Sequence, residues 1–153
     1  MELGEYSKLM IKQPPSETEK YIAKNEAVIK QEFPKDNFIS DTAEFQTKNK
    51  YTKGLYLPDN VKVAEARIPI NQIQREVLRK ELRQSEILSK LGNSIALIPE
   101  RSGYKHRPKD ALVNGKLYEF RTVEGNPETF QWEFRAAKWK GADTNVYINF
   151  IIL

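Results

Sequence analysis

The dipeptide Asn114-Gly115 separates two short apolar runs, Ala111-Leu112-Val113 and Leu117-Tyr118-Glu119-Phe120. Asn-Gly in this setting is the strongest short-range signal for a two-residue hairpin, because both central residues of the favoured turn take positive φ. Such a turn fixes the register of its strands. With strands predicted over Asp110–Val113 and Lys116–Thr122, Val113 faces Lys116, Leu112 faces Leu117 and Ala111 faces Tyr118. One step further, Asp110 faces Glu119. Side chains alternate along a strand, so Leu112, Leu117, Asp110, Glu119 and Arg121 are expected on one face.

The surrounding pattern is that of a mixed α/β domain over residues 71–153. Asn71 with Gln74 three residues on is a capping-box pattern. It predicts a helix to about Leu91, closed by Gly92 as the residue after the cap. Ile73, Val77, Leu78, Leu82, Leu88 and Leu91 give that helix a broad apolar face. Ser94–Pro99 is a short apolar run that suits a buried strand. Asn126 followed by Pro127 predicts a further helix, running through Trp139. Asn145–Leu153 is almost continuously apolar, as expected of a strand covered on both faces. The order is helix–strand–strand–strand–helix–strand. Residues 1–70 are expected to be an N-terminal extension or linker, partly helical. A helix capped by Ser16 and closed by Pro34 would carry Ile22, Ile29 and Phe33 on one side. Val61–Ile70 reads as a strand.

Composition removes several chemistries. There is no cysteine, which excludes disulfides, thiolate zinc sites and cysteine nucleophiles. A single histidine, His106, excludes a nuclease that uses two histidines as acid and base. No run of 18 apolar residues is present, so no membrane-spanning segment is expected. The first 30 residues lack the apolar centre of a signal peptide. Residues 1–69 carry 11 basic and 11 acidic side chains, whereas residues 70–153 carry 14 and 10, so the whole net charge of +4 lies in the later part. Arg101, Lys105, Arg107 and Lys109 fall in one acid-free stretch beside Asp110. That stretch favours a polyanionic partner such as nucleic acid, and equally suits a solvated loop.

Two carboxylates directly opposed across a sheet repel one another. A bound Mg²⁺, the guanidinium of Arg121 or a shared proton would each offset the repulsion. The functional reading is a phosphodiester-cleaving site in which Asp110 and Glu119 hold a metal ion or an attacking group. Arg121 would stabilise charge growing on the phosphate. The bland reading is a surface hairpin whose acids pair with Arg121 or a lysine. His106, in the basic stretch, suits either an acid/base role or a plain surface position. Glu76, Glu81 and Glu86 each suit a solvated helix face. One of them, for which we take Glu86, would add a third carboxylate by turning back toward the sheet. Lys105, Arg107, Lys109, Thr122, Arg135 and Lys138 are candidate phosphate-backbone contacts, with Lys140, Trp132 and Trp139 nearby.

The runs Ile95-Ala-Leu-Ile-Pro-Glu100, Pro108-Lys-Asp-Ala-Leu-Val-Asn-Gly115 and Tyr118-Glu-Phe-Arg-Thr-Val123 resemble the C-terminal nuclease domains of bacterial polymorphic toxins, among them CdiA-type contact-dependent growth inhibition toxins. Asp143-Thr-Asn-Val-Tyr-Ile-Asn149 resembles their following strand. The resemblance covers about residues 86–152 and implies an endonuclease, most often one that cuts tRNA. It implies either a PD-(D/E)XK-like core, whose element order is the one above and which uses Mg²⁺, or a barnase/colicin/RelE-like ribonuclease fold without metal. In the first pattern Asp110 and Glu119 are the acids and Arg121 stands where a lysine is usual. Arginine orients a phosphate but does not give up a proton at neutral pH. A toxin of this kind implies delivery into the cytoplasm of a target bacterium and a cognate immunity protein. The rival expectations are a Mg²⁺-dependent DNase of restriction-endonuclease type and a non-catalytic nucleic-acid-binding or partner-binding module.

Overall fold

A computed structural model describes residues 15–40, 57–99, 110–124 and 145–151. Their order is helix α1 (Pro15–Glu32), strand β1 (Phe38–Ile39), strand β2 (Val61–Ala64), a 3-10 turn (Glu65–Arg67) and helix α2 (Gln72–Lys90). Strands β3 (Ile95–Leu97), β4 (Ala111–Val113), β5 (Lys116–Glu124) and β6 (Asn145–Ile151) follow. The six strands form one mixed sheet in the order β1-β2-β3-β4-β5-β6. β1 is antiparallel to β2, and β2 is parallel to β3. β3, β4 and β5 run antiparallel in succession, and β6 is parallel to β5.

The hairpin forms as predicted. Val113 pairs with Lys116, Leu112 with Leu117 and Ala111 with Tyr118. Asn114 and Gly115 have φ of 53° and 84°, the pair of positive values that the tight turn demands. α2 also follows its signals. The Asn71 side chain accepts from the Gln74 N–H at 2.9 Å, while the Gln74 side chain reaches back to the Ile70 N–H at 3.1 Å. Gly92, at φ 92°, ends the helix. Its N–H donates to Ser89 and that of Asn93 to Leu88, the double bond of a Schellman closure.

The sheet is covered on both faces. On the α2 side, Val61, Val63, Ile95, Leu97, Ala111, Val113, Tyr118 and Phe120 pack with Leu78, Leu82 and Leu88. On the α1 side, Ala96, Ile98 and Leu112 pack with Phe33, Val28, Ile29 and Leu117. This is why Ser94–Pro99 reads as continuously apolar: β3 is central and buried on both sides. Fully burying a leucine such as Leu82 or Leu88, both at 0% exposure, stabilises by about 1.5–3 kcal/mol.

The expected boundary at residue 70 does not divide the molecule. β1 and β2 extend the same sheet, α1 covers one of its faces, and Ile39, Leu57, Val61 and Val63 share a core with α2. The expected strand Val61–Ile70 is also shorter. It stops at Ala64 and turns, which carries the Arg67 side chain inward. α1 begins at Pro15, one residue before the Ser16 expected to cap it, and proline suits a first helical position. The helix predicted over Asn126–Trp139 lies outside the described residues. No helix among the described residues is long and apolar enough to cross a membrane.

A buried polar network fastens the turn end of the sheet. Asn114 exchanges bonds with Ser94: its N–H donates to the Ser94 carbonyl at 3.0 Å and its side chain accepts from the Ser94 N–H at 2.9 Å. Its amide also donates to Asn93 at 3.0 Å. Asn25 of α1 accepts from the Gly115 N–H and donates to Ser94 at 3.0 Å. Asn60 donates to the Asn93 carbonyl at 2.6 Å and accepts from the Ser89 hydroxyl at 2.7 Å. Removing one partner from such a network leaves buried groups unsatisfied. Asn60→Ala is expected to cost about 2–3 kcal/mol, read as a lower urea midpoint with an unchanged m-value.

Candidate functional site

Asp110 immediately precedes β4, and its main chain fits it against the middle of β5. Its N–H donates to the Tyr118 carbonyl and its carboxylate Oδ2 accepts from the Phe120 N–H, at 3.1 and 2.8 Å. These contacts bracket Glu119 along β5, although the paired register itself ends one residue earlier, at Ala111 and Tyr118. Alternation assigns Glu119 to the α1 side of the sheet, since Leu117 packs there while Tyr118 and Phe120 pack under α2.

The structure supplies a local offset for each carboxylate. Glu119, 4% exposed, pairs with the guanidinium of Arg121 at 3.2 Å. A buried carboxylate without such a cation would be costly. The Asp110 carboxylate takes a main-chain N–H that the ladder leaves over where β4 and β5 part. Arg121 is itself held from beneath, since the buried Gln84 of α2 donates to its carbonyl at 3.0 Å. About a quarter of its side chain, 23%, faces solvent. The site therefore offers acceptor oxygens from two acids and a partly open planar donor on one strand pair. That combination suits a phosphate with its attendant cation or attacking group.

The helix acid differs from the one expected. Glu86 lies on the outer side of α2 and pairs with Lys90 at 3.2 Å, one turn along the same helix. Glu76 similarly pairs with Arg79, at 3.6 Å. The glutamate that turns inward is Glu81, which shares the buried side of α2 with Gln84, Ser85 and Leu88. Its partner is Arg67, with N and O only 2.7 Å apart and both side chains almost wholly buried. Glu81 thus reaches the sheet from the α2 side and does not join Asp110 and Glu119. Among the described residues no group of three or more acidic or histidine side chains is placed to hold a metal ion.

Arg67 belongs to no motif that distinguishes it in the sequence. Only the 3-10 turn points it inward. His106, Lys105, Arg107, Lys109, Arg135 and Lys138, together with Trp132 and Trp139, lie outside the described residues. Thr122 lies on β5 in register with Asn149 of β6.

No family model, no curated protein and no solved structure matches this chain.

The two roles open to Asp110 separate by substitution. Asp110→Asn keeps an acceptor for the Phe120 N–H and is expected to unfold within about 0.5 kcal/mol of wild type. Asp110→Ala leaves that N–H without its acceptor and is expected to cost about 1–3 kcal/mol. Chemical denaturation of the two variants side by side measures the difference.

Proposed function

We propose that this chain is a toxin-type endonuclease that cleaves RNA, with tRNA its foremost substrate, on a PD-(D/E)XK-like core. The observation that carries the reading is the placement of Asp110 beside Glu119 with Arg121 two residues along the same strand. The strand arrangement supports it. Three successive antiparallel strands followed by one parallel to the third is what a helix–strand–strand–strand–helix–strand chain produces, because a parallel neighbour requires a crossover.

In this reading the phosphodiester lies against Asp110, Glu119 and Arg121. The acids position the attacking oxygen. Arg121 donates to the phosphate oxygens as negative charge grows on them, a role its fixed charge and planar donor fork suit. The donor set is two carboxylates, the oxygen chemistry that Mg²⁺ takes, so Asp110 and Glu119 are the residues that would hold such an ion. When bound, it would polarise the phosphate and its attacking water. The acid-free stretch from Arg101 to Lys109 draws in the nucleic-acid backbone electrostatically. Delivery into a target bacterium, and a cognate immunity protein presenting an acidic surface to the basic site, belong to the same proposal.

The test is purified protein incubated with total tRNA, and separately with plasmid DNA, in the presence of Mg²⁺. Cleavage of tRNA is expected. Asp110→Asn and Glu119→Gln, which keep the shape of the site, should each lower the rate by about 100-fold or more. Cleavage of plasmid alone would replace the substrate with DNA. Wild-type protein that cuts neither, or variants as fast as wild type, would sink the nuclease reading. An EDTA arm reads metal dependence directly.

A further inference from the structure

We infer that Arg67 is a positioning residue for Asp110, clamping the main chain of that acid; the inference rests on the nuclease reading of Asp110. The Arg67 guanidinium divides its donors. One terminal nitrogen lies 2.7 Å from a carboxylate oxygen of Glu81, and the other donates to the Asp110 carbonyl at 3.0 Å. The carbonyl also accepts from the Ile98 N–H at 3.1 Å. Asp110 stands just outside the paired residues, since the β3–β4 and β4–β5 ladders both stop at Ala111. Beyond that point single bonds to Ile98, Tyr118 and Phe120, together with Arg67, take over from the ladder. Two donors on one carbonyl fix its peptide plane and with it the direction of Cα–Cβ. That direction delivers the carboxylate to the Phe120 N–H, next to Glu119.

Two features mark this as placement and not general stabilisation. An ion pair as buried as Arg67–Glu81, with side chains 4% and 8% exposed, gains little over well-packed apolar residues of the same size, because desolvating both charges cancels most of their attraction. Arginine also does what lysine does not: one terminal nitrogen of its planar guanidinium sits against the Glu81 carboxylate as an ion pair while the other donates to the Asp110 carbonyl. Glu81 orients the fork, and the second tine holds Asp110. The clamp joins three parts of the chain that are remote in sequence, namely the 3-10 turn, α2 and the head of β4.

The experiment uses the double variant Arg67→Met/Glu81→Leu, which removes both charges without leaving one stranded, and Arg67→Lys as a control. The double variant should unfold at or near the wild-type denaturant midpoint. Amide hydrogen exchange should rise by about tenfold or more at Phe120 and Ile98, whose acceptors belong to Asp110, and stay unchanged at Ile95 and Asn114 at the other end of the sheet. In the RNA-cleavage assay kcat should fall by about 10- to 100-fold with KM unchanged, the cost of a misplaced catalytic group. Arg67→Lys, with one point charge for two acceptors, should recover part of the kcat loss. Exchange that rises equally at all four amides, or at none, overturns the inference and leaves the nuclease reading standing. Loosened Phe120 exchange with kcat unaltered overturns its catalytic part. Wild-type protein that cuts neither RNA nor plasmid DNA removes the nuclease reading and that catalytic part together.

Discussion

The tight turn at Asn114-Gly115 is the constraint on which the arrangement depends. A shift of one residue in the pairing of β4 with β5 would exchange every side chain between the two faces of the sheet. Leu112 and Leu117 would leave the α1 side, Tyr118 and Phe120 would leave the core under α2, and Asp110 would no longer lie beside Glu119. Backbone geometry alone does not guard the turn. Asn25 of α1 binds the Gly115 N–H, and Asn114 exchanges three hydrogen bonds with Asn93 and Ser94. A Cβ at Gly115 would lie 3.1 Å from that of Lys24, so the helix seats directly on the turn. One helix thus covers a face of the sheet and holds its register.

The polar groups divide into two sets at opposite ends of β4. At the turn end, Asn25, Asn60, Asn93, Asn114, Ser89 and Ser94 satisfy one another and the main chain, as buried polar groups must. At the other end the charged groups gather: Asp110, Glu119, Arg121, Arg67 and Glu81. The first set contributes specificity of fold through neutral hydrogen bonds. The second carries charges whose burial offers little stability in return, and it surrounds the point where β4 leaves its neighbours. Neutral hydrogen bonds thus order one end of the sheet, and the charged groups collect where the ladder stops.

Much of the local structure was legible. The Asn-Gly turn, the Asn71 cap and the Gly92 closure are decided by short-range stereochemistry, and each formed where its residues indicated, whereas of the apolar face expected of α2 Leu78, Leu82 and Leu88 are buried and Ile73 and Val77 are exposed. Counting from the turn gives the pairing as far as Ala111 with Tyr118, and Asp110 reaches the neighbourhood of Glu119 by bonds to Tyr118 and Phe120 instead. What failed did so for tertiary reasons. The segment before residue 70 looks like a linker because β1 has only two residues and β2 four, and strands so short have no period of their own. They are strands because β3 offers them an edge. Glu86 and Glu81 are equivalent in composition and differ only in which side of α2 the sheet lies on.

The sequence by itself determined the register of the central hairpin, the limits of α2 and the absence of thiol chemistry, since these depend on residue identity and on neighbours a few positions away. Tertiary structure decided that the first helix and two short strands belong to the same body. It also decided that Glu81 is the inward acid, and that Arg67 joins it to the main chain of Asp110. Those outcomes depend on segments 14 and 43 residues from Arg67 in the chain meeting in space. No local pattern encodes that meeting, because it is settled by how the sheet packs with α1 on one face and α2 on the other.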